Sequence, residues 1–195
     1  RLVEIAVAAG AEILRIYEGP AFDASQKSDG SPVTAADEAA EAVILARLSE
    51  AAPEWPVVAE EAVAAGRVPP ACPDFILVDP LDGTKEFISR NGEFTVNIAV
   101  VRDGVPTAGV VYAPALGTIY AGEDGGAFVA RVSDGTLGER RPISVRAPGA
   151  EGLVVVASRS HMNDETRAFL DRFRVASFTS WGGRWSGTSR PATRY

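Results

Sequence analysis

The beginning of the chain has apolar residues at the spacing of amphipathic helices. Between Leu2 and Tyr17 they recur at every third or fourth position, which predicts a helix, and Gly19 followed by Pro20 predicts its end. A second helix is predicted to begin at Thr34, because a threonine followed by an acid at the third position downstream is a variant of the capping box. Two helices are therefore expected before the strand-rich part of the chain.

Short apolar runs separated by turn residues follow these helices and predict strands. Asp103 and Gly104 form a hairpin signal between two such runs. The predicted strands are residues 57–59, 75–78, 94–101, 106–112, 118–121, 127–130 and 153–157, and the last predicted helix is 164–173. Helices first, strands next and then a new strand–helix unit indicate a layered α/β or α+β architecture.

The same order predicts how the chain is divided. We expect an N-terminal α+β subdomain over residues 1–150, which carries the metal-binding motifs described below, and the start of a C-terminal α/β subdomain over 151–176. From Arg172 to Tyr195 the chain has five arginines, no acidic residue and no helical or strand period. We therefore interpret residues 177–195 as an atypical tail that is disordered or non-native, for example the product of a shifted reading frame.

Composition and charge exclude several classes of protein. The formal net charge of −7 is unfavourable for binding a nucleic acid polymer, which needs a basic face. No apolar run approaches the roughly 20 residues of a membrane span. Cys72 is the only cysteine, so no internal disulfide can form. This predicts a cytoplasmic location, with peripheral association with a membrane left open.

The run from Asp79 to Thr84, DPLDGT, carries the most distinctive chemistry. It follows the apolar residues 75–78, so its two carboxylates lie at the end of a predicted buried strand, where they need a cation or hydrogen-bond donors. Mg²⁺ prefers oxygen ligands, Gly83 allows close backbone approach to a ligand, and Thr84 supplies a hydroxyl. The alternative is a simple turn, because Asp-Pro and Asp-Gly are common turn pairs.

Together with its neighbours this run resembles the signature of the inositol monophosphatase superfamily, whose members are Mg²⁺-dependent, lithium-sensitive phosphatases. Further matching segments follow in the family's order at residues 31–37, 58–61, 109–112 and 158–161. The stretches 85–87 and 91–99 are similar to the 3′(2′),5′-bisphosphate nucleotidase branch. The resemblance extends to about Arg172 and implies an α+β, layered αβαβα sugar-phosphatase-like fold with an incomplete C-terminal subdomain.

The resemblance also implies which residues hold the metal ions. Glu60 and Asp79, with the backbone carbonyl of Leu81, are expected to hold a first Mg²⁺. Asp79 and Asp82 are expected to bridge to a second. A third, weakly held ion is expected to contact Glu60. Two or three ions are therefore implied for the intact family site.

The catalytic and substrate-binding residues follow from the same resemblance. Asp37 and Thr84 are expected to form a hydrogen-bonded pair that orients the attacking water, and Glu60 is expected to act with them. The backbone N–H groups of Gly83 and Thr84 are expected to bind the substrate phosphate at the start of a helical turn. The substrate-binding residues so implied are Asp82, Gly83, Thr84, Lys85 and His161.

Several of these residues also have simpler explanations. Asp37 can be only a helix-capping acid, which is a common role in the first turn of a helix. Lys85 and His161 can be ordinary surface residues, and Glu61 can be a solvated acid beside Glu60. These alternatives stay open at the level of sequence.

One feature departs from the family. The family has a later aspartate, in a Trp-Asp motif, that completes the second metal site, whereas the last aspartate here is Asp171. For the intact protein the resemblance implies a hydrolase that converts a small anionic substrate, adenosine 3′,5′-bisphosphate, to AMP by metal-activated water. The alternatives are an inositol or sugar monophosphatase, or a catalytically incomplete metal- or phosphate-binding module. Family members often dimerise, so a homodimer is left open.

Overall fold

Contacts divide the chain into two units, Arg1–Ser144 and Val145–Tyr195. The structure, a computed structural model, describes residues 1–19, 24–26, 32–158 and 163–181. In the first unit the described helices are α1 (Leu2–Tyr17), α2 (Ala35–Ala51), α3 (Glu60–Ala64) and α4 (Thr84–Ile88). Its strands are β1 (Ala24–Gln26), β2 (Pro32–Thr34), β3 (Val57–Ala59), β4 (Phe75–Asp82), β5 (Thr95–Arg102), β6 (Val105–Ala113), β7 (Thr118–Glu123), β8 (Gly126–Ser133), β9 (Thr136–Leu137) and β10 (Arg141–Ile143).

An eight-stranded mixed sheet is the centre of the first unit. Its strand order is β10-β8-β7-β6-β5-β4-β3, with β9 paired to β8 off this path. The pairs are antiparallel except for β3 with β4, which run parallel. Hairpins explain the antiparallel part, because the tight turn at Asp103-Gly104 returns the chain directly onto β5. The parallel pair lies at one edge of the sheet, next to the DPLDGT run.

One face of this sheet packs against α1 and α2 and forms the core. In β4 the side chains of Ile76 and Val78 are buried, whereas Leu77 between them is 45% exposed, as expected for a strand covered on one side. The helices contribute buried residues at helical spacing, such as Ile13 of α1 and Ile44 of α2. The core therefore holds the sheet against two helices, with α2 packed on β4, the strand that carries the motif, and α1 packed on β5 and β6.

The described part of the second unit is a strand–helix–strand motif. It consists of β11 (Leu153–Ser158), α5 (Asp164–Leu170) and β12 (Val175–Trp181), and the two strands pair in parallel. Asn163 caps α5, because its Oδ1 accepts the backbone N–H of Thr166 at 2.8 Å. From Val145 onward no described side chain is buried.

The predicted α+β class is confirmed, and so is the order of its main elements. Two expectations at the C-terminal end are wrong. The last helix ends at Leu170 rather than Phe173, because the chain must turn back to enter β12. Residues 177–181, predicted to lack regular structure, lie in β12. Hydrogen-bonded pairing with β11 holds them extended, although their apolar and polar residues do not alternate as in a typical strand. No helix in the described ranges is both long and apolar enough to span a membrane.

Candidate active site

Glu60 and Asp79 each come directly after the last pair of the parallel β3–β4 ladder and therefore lie at the same edge. That last pair is Ala59 with Val78; Glu60 begins α3, and Asp79 continues β4. This is the carboxyl edge of a parallel pair, where open α/β sheets usually bind ligands. Glu60 begins α3 and is exposed, whereas Asp79 is half-buried.

A β-bulge in β4 brings the two aspartates of the DPLDGT run onto one face. Asp79 pairs with Asn97 of β5 and Asp82 pairs with Thr95, so three steps along β4 match two along β5. Opposite residues of an antiparallel pair share a face, and so do residues two apart on one strand. Without the extra residue, side chains three apart would point to opposite faces. The bulge includes Pro80, which cannot donate to a ladder.

Gly83 makes the turn from β4 into α4. Its φ of +96° lies in the left-handed region, and a Cβ added there would stand 3.0 Å from the carbonyl oxygen of Glu93. Only glycine therefore fits without a shift of the facing backbone. The first N–H groups of α4, which begins at Thr84, have no partner within the helix. The N–H of Thr84 is the first of these, and together with the N–H of Gly83 it is the group that the family resemblance implies for the substrate phosphate.

The hydroxyl of Thr84 donates to the carbonyl oxygen of Leu81 at 3.3 Å. The hydrogen bond expected between Thr84 and Asp37 stays a prediction. Asp37 lies in the first turn of α2 and is fully buried, with 0% exposure. The helices of both residues contact β2, so their starts lie near the same short strand.

Glu41 is a second buried carboxylate of α2, one turn after Asp37. It is 4% exposed, and its Oε2 accepts the backbone N–H of Glu61 at 2.8 Å. Burial raises the pKa of the Glu41 carboxyl, and the nearby negative charge of Glu61 raises it further, whereas hydrogen bonds from the backbone N–H groups of Glu61 and Ala62 lower it. The net effect is a raised pKa, so the ionised form of Glu41 is less stable here than in water.

The acidic residues share an edge without forming a closed cluster. In the described ranges, no three Asp, Glu, His or Cys side chains converge closely enough to hold one metal ion. The available donors, three carboxylates and a backbone carbonyl, are nevertheless the oxygen ligands of a hard cation. The hydroxyl of Thr95, opposite Asp82, is 3% exposed and has no hydrogen-bond partner among the described residues. Buried hydroxyls normally have a partner, so the site fits an oxygen-rich ligand such as hydrated Mg²⁺.

The structure places most of the predicted site residues around this edge. Glu60, Asp79 and Asp82 lie at the ends of β3 and β4, and Lys85 is exposed in the first turn of α4. His161 lies outside the described residues. The metal-binding, catalytic and substrate-binding roles of all the predicted site residues stay predictions.

Two residues at this edge were missed by sequence reasoning. Glu41 gave one usable signal, because it stands four positions after Asp37, on the same helical face. Thr95 gave none, since its position opposite Asp82 depends on the bulge.

Comparison with known proteins decides the family. A family model described as "Inositol monophosphatase family" matches residues 2–182. The chain belongs to the inositol monophosphatase family. Within this family it is 44% identical to the 3′(2′),5′-bisphosphate nucleotidase CysQ of Salmonella typhimurium over 183 residues, which cover 93% of this chain and 72% of that protein.

A relative with a different printed activity matches a smaller share of this chain. The inositol-1-monophosphatase of Mesorhizobium japonicum is 38% identical over 127 residues, which cover 64% of this chain and 47% of that protein. Among solved structures, CysQ from Bacteroides thetaiotaomicron superposes with a TM-score of 0.72 at 36% identity, covering 92% of this chain and 71% of that one. The fold and the bisphosphate nucleotidase branch are thus supported by independent comparisons.

Proposed function

We propose that this member of the family is a metal-dependent phosphate monoester hydrolase that removes the 3′-phosphate of adenosine 3′,5′-bisphosphate and releases AMP. The similarity to a CysQ protein at 44% identity over 93% of the chain carries the proposal. The cytoplasmic location, the peripheral membrane association and the homodimer stay predictions.

Glu60, Asp79 and Asp82 are the proposed metal-holding side chains, with the carbonyl of Leu81. The bulge supports this assignment, because it turns both aspartates to one face beside the strand that leads to Glu60. Bound at these carboxylates, Mg²⁺ supplies charge neutralisation, a lowered pKa of water and stabilisation of the leaving oxygen. The two or three ions of the intact family site are part of the same proposal.

The remaining predicted residues are proposed to position water and substrate. The hydroxyl oxygen of Thr84 keeps lone pairs that can accept a hydrogen bond from the attacking water. Asp37 offers a buried carboxylate at a rigid helix start. Phosphate binding is proposed for the N–H groups of Gly83 and Thr84 and for the exposed ammonium of Lys85.

The substrate assignment is tested by measuring phosphate release with Mg²⁺ from three compounds: adenosine 3′,5′-bisphosphate, inositol monophosphate and fructose bisphosphate. We expect the highest kcat/KM for the adenosine bisphosphate. A preference for inositol monophosphate or fructose bisphosphate contradicts the branch and supports the inositol or sugar monophosphatase.

A binding module without turnover is the second candidate. It is favoured by one observation: in the described ranges the acidic side chains do not converge into a closed metal cluster. Calorimetric titration with Mg²⁺ beside the phosphatase assay separates the two. Mg²⁺ binding without phosphate release identifies the module, whereas metal-dependent release identifies the enzyme.

A further inference from the structure

Glu41 is a buried acid that the proposed reaction does not use. It lies on the core-facing side of α2, between Ala40 and Ile44 in the pattern of buried positions. A carboxylate in such surroundings is costly unless donors compensate it. The donor that it contacts, the backbone N–H of Glu61, belongs to the first turn of α3, the helix that begins with Glu60.

The start of α3 has no cap of its own. Its N-cap residue is Ala59, whose methyl side chain makes no capping hydrogen bond. The first N–H groups of a helix need an acceptor from elsewhere. Glu41 provides it for Glu61 at 2.8 Å, and the N–H of Ala62 also interacts favourably with the carboxylate. The cap of α3 therefore comes from α2.

This contact fixes the backbone next to a proposed metal ligand. The amide held by Glu41 joins Glu60 to Glu61, so it restricts the main-chain dihedral angles that aim the Glu60 side chain. The same helical face carries Asp37 one turn earlier. One rigid helix thus touches the site at two points, once through a proposed catalytic carboxylate and once through the support of a proposed ligand.

We infer that Glu41 is a positioning residue that holds the start of α3 so that Glu60 faces the metal site beside Asp79. The inference rests on the proposed function, because it assigns a purpose to the position of Glu60. Residues that support metal ligands in this way typically change metal affinity by about 10–100-fold when they are replaced. A role in stability alone would leave the affinity of the folded protein unchanged.

The test compares Glu41→Leu and Glu41→Gln with the control Glu38→Gln, which removes an exposed charge from the same helix near the same edge. Mg²⁺ affinity is measured by calorimetry on the full chain, and folding is checked by circular dichroism and thermal unfolding. We expect Glu41→Leu to weaken Mg²⁺ binding by at least about tenfold. Glu41→Gln, which keeps one acceptor oxygen, should lose less, and Glu38→Gln should match the wild type.

A folded Glu41→Leu variant with wild-type Mg²⁺ affinity overturns the inference, and so does an equal loss in Glu38→Gln. Amide hydrogen exchange supplies a readout that needs no metal. We expect Glu41→Leu to speed exchange at Glu61 and Ala62 by at least about tenfold, a loss of the same size as one local hydrogen bond. If the wild-type chain binds no Mg²⁺, the proposed function fails, and unchanged exchange at Glu61 then overturns the inference by itself.

Discussion

Both units contain a parallel pair of strands, β3 with β4 in the first and β11 with β12 in the second, but their surroundings differ. In the first unit, α2 packs against β4, and Ile76 and Val78 are buried. In the second unit, none of the strand side chains whose burial the structure describes is buried. Parallel strands are normally covered on both faces, so the two pairs have very different support.

The aromatic residues show the same contrast. Phe87 and Phe94 are fully buried and contact each other edge to face, with ring centroids 5.2 Å apart. Phe169 and Phe173 also lie 5.2 Å apart, yet Phe169 is 54% exposed. A metal site needs ligands held by packed neighbours. The comparison shows that only the first unit gives the described site residues such a setting.

The largest effect should come from Asp79, the acid of β4 that lies beside Glu60 at the edge of the sheet. Asp79→Asn removes a charge that the metal needs, and metal contributions of several kcal/mol correspond to a loss of at least about 100-fold in turnover. The measurement is Mg²⁺-dependent phosphate release from adenosine 3′,5′-bisphosphate. Asp171→Asn in the second unit is the control and should keep wild-type activity. Equal losses in both variants would show that the site is not confined to the first unit.

The second largest effect should come from the buried aromatic cluster. Phe94→Ala leaves a cavity in a core that cannot collapse fully, and we expect a loss of about 3–5 kcal/mol in the free energy of unfolding. Phe169→Ala in α5 should lose less than about 1 kcal/mol, because its ring is already largely in water. Urea unfolding of both variants measures the difference. Losses of similar size would contradict the contrast in packing.

Gly83→Ala should have a smaller effect on stability and a specific one on the site. Its left-handed backbone costs an alanine about 1–2 kcal/mol, and contact with the Glu93 carbonyl adds to this. Gly104→Ala is the matched control, because its φ is +75° and nothing lies within 4 Å. Thermal unfolding and KM for the substrate distinguish them. A KM change of equal size in both variants would contradict the proposed role of Gly83 in phosphate binding.

The smallest predicted effect is at Gly10 of α1, where we expect alanine to lower the free energy of unfolding although it usually raises it in a helix. Replacing a helical glycine by alanine usually stabilises by about 1 kcal/mol. At Gly10 the added Cβ would stand 2.2 Å from Cε1 of the buried Tyr112, so we expect Gly10→Ala to destabilise by about 1 kcal/mol net. Gly125→Ala, with nothing within 4 Å, should not do so. A Gly10→Ala variant more stable than wild type would show that helix and sheet pack less tightly than described.

Sequence predicted the parts of the site that depend on local chemistry. The apolar run before Asp79 predicted β4. The turn at Gly83, between β4 and α4, was indicated by the glycine of the DPLDGT run. The bulge could not be predicted, because it is a property of the register between β4 and β5. Glu41 was missed for a similar reason: a glutamate in an alanine-rich helix is normally exposed, and its partner comes from α3.

In the second unit, the sequence pattern failed to predict the strand β12. Residues 175–181 have no clear alternation of apolar and polar residues, so no strand was predicted there. Their extended conformation follows from parallel pairing with β11. The spacing of apolar residues along the sequence does not reveal such a pairing. Local pattern was sufficient where packing and pattern agree, as in α1 and β4.

The central claim is that the acids at the ends of β3 and β4 bind Mg²⁺. Its most direct test is a calorimetric titration of the wild-type chain and of Asp79→Asn with Mg²⁺, with circular dichroism to confirm that both are folded. The account predicts saturable binding in the wild type and a loss of at least about tenfold in affinity in Asp79→Asn. Equal Mg²⁺ binding by the two proteins, or none by the wild type, would contradict it.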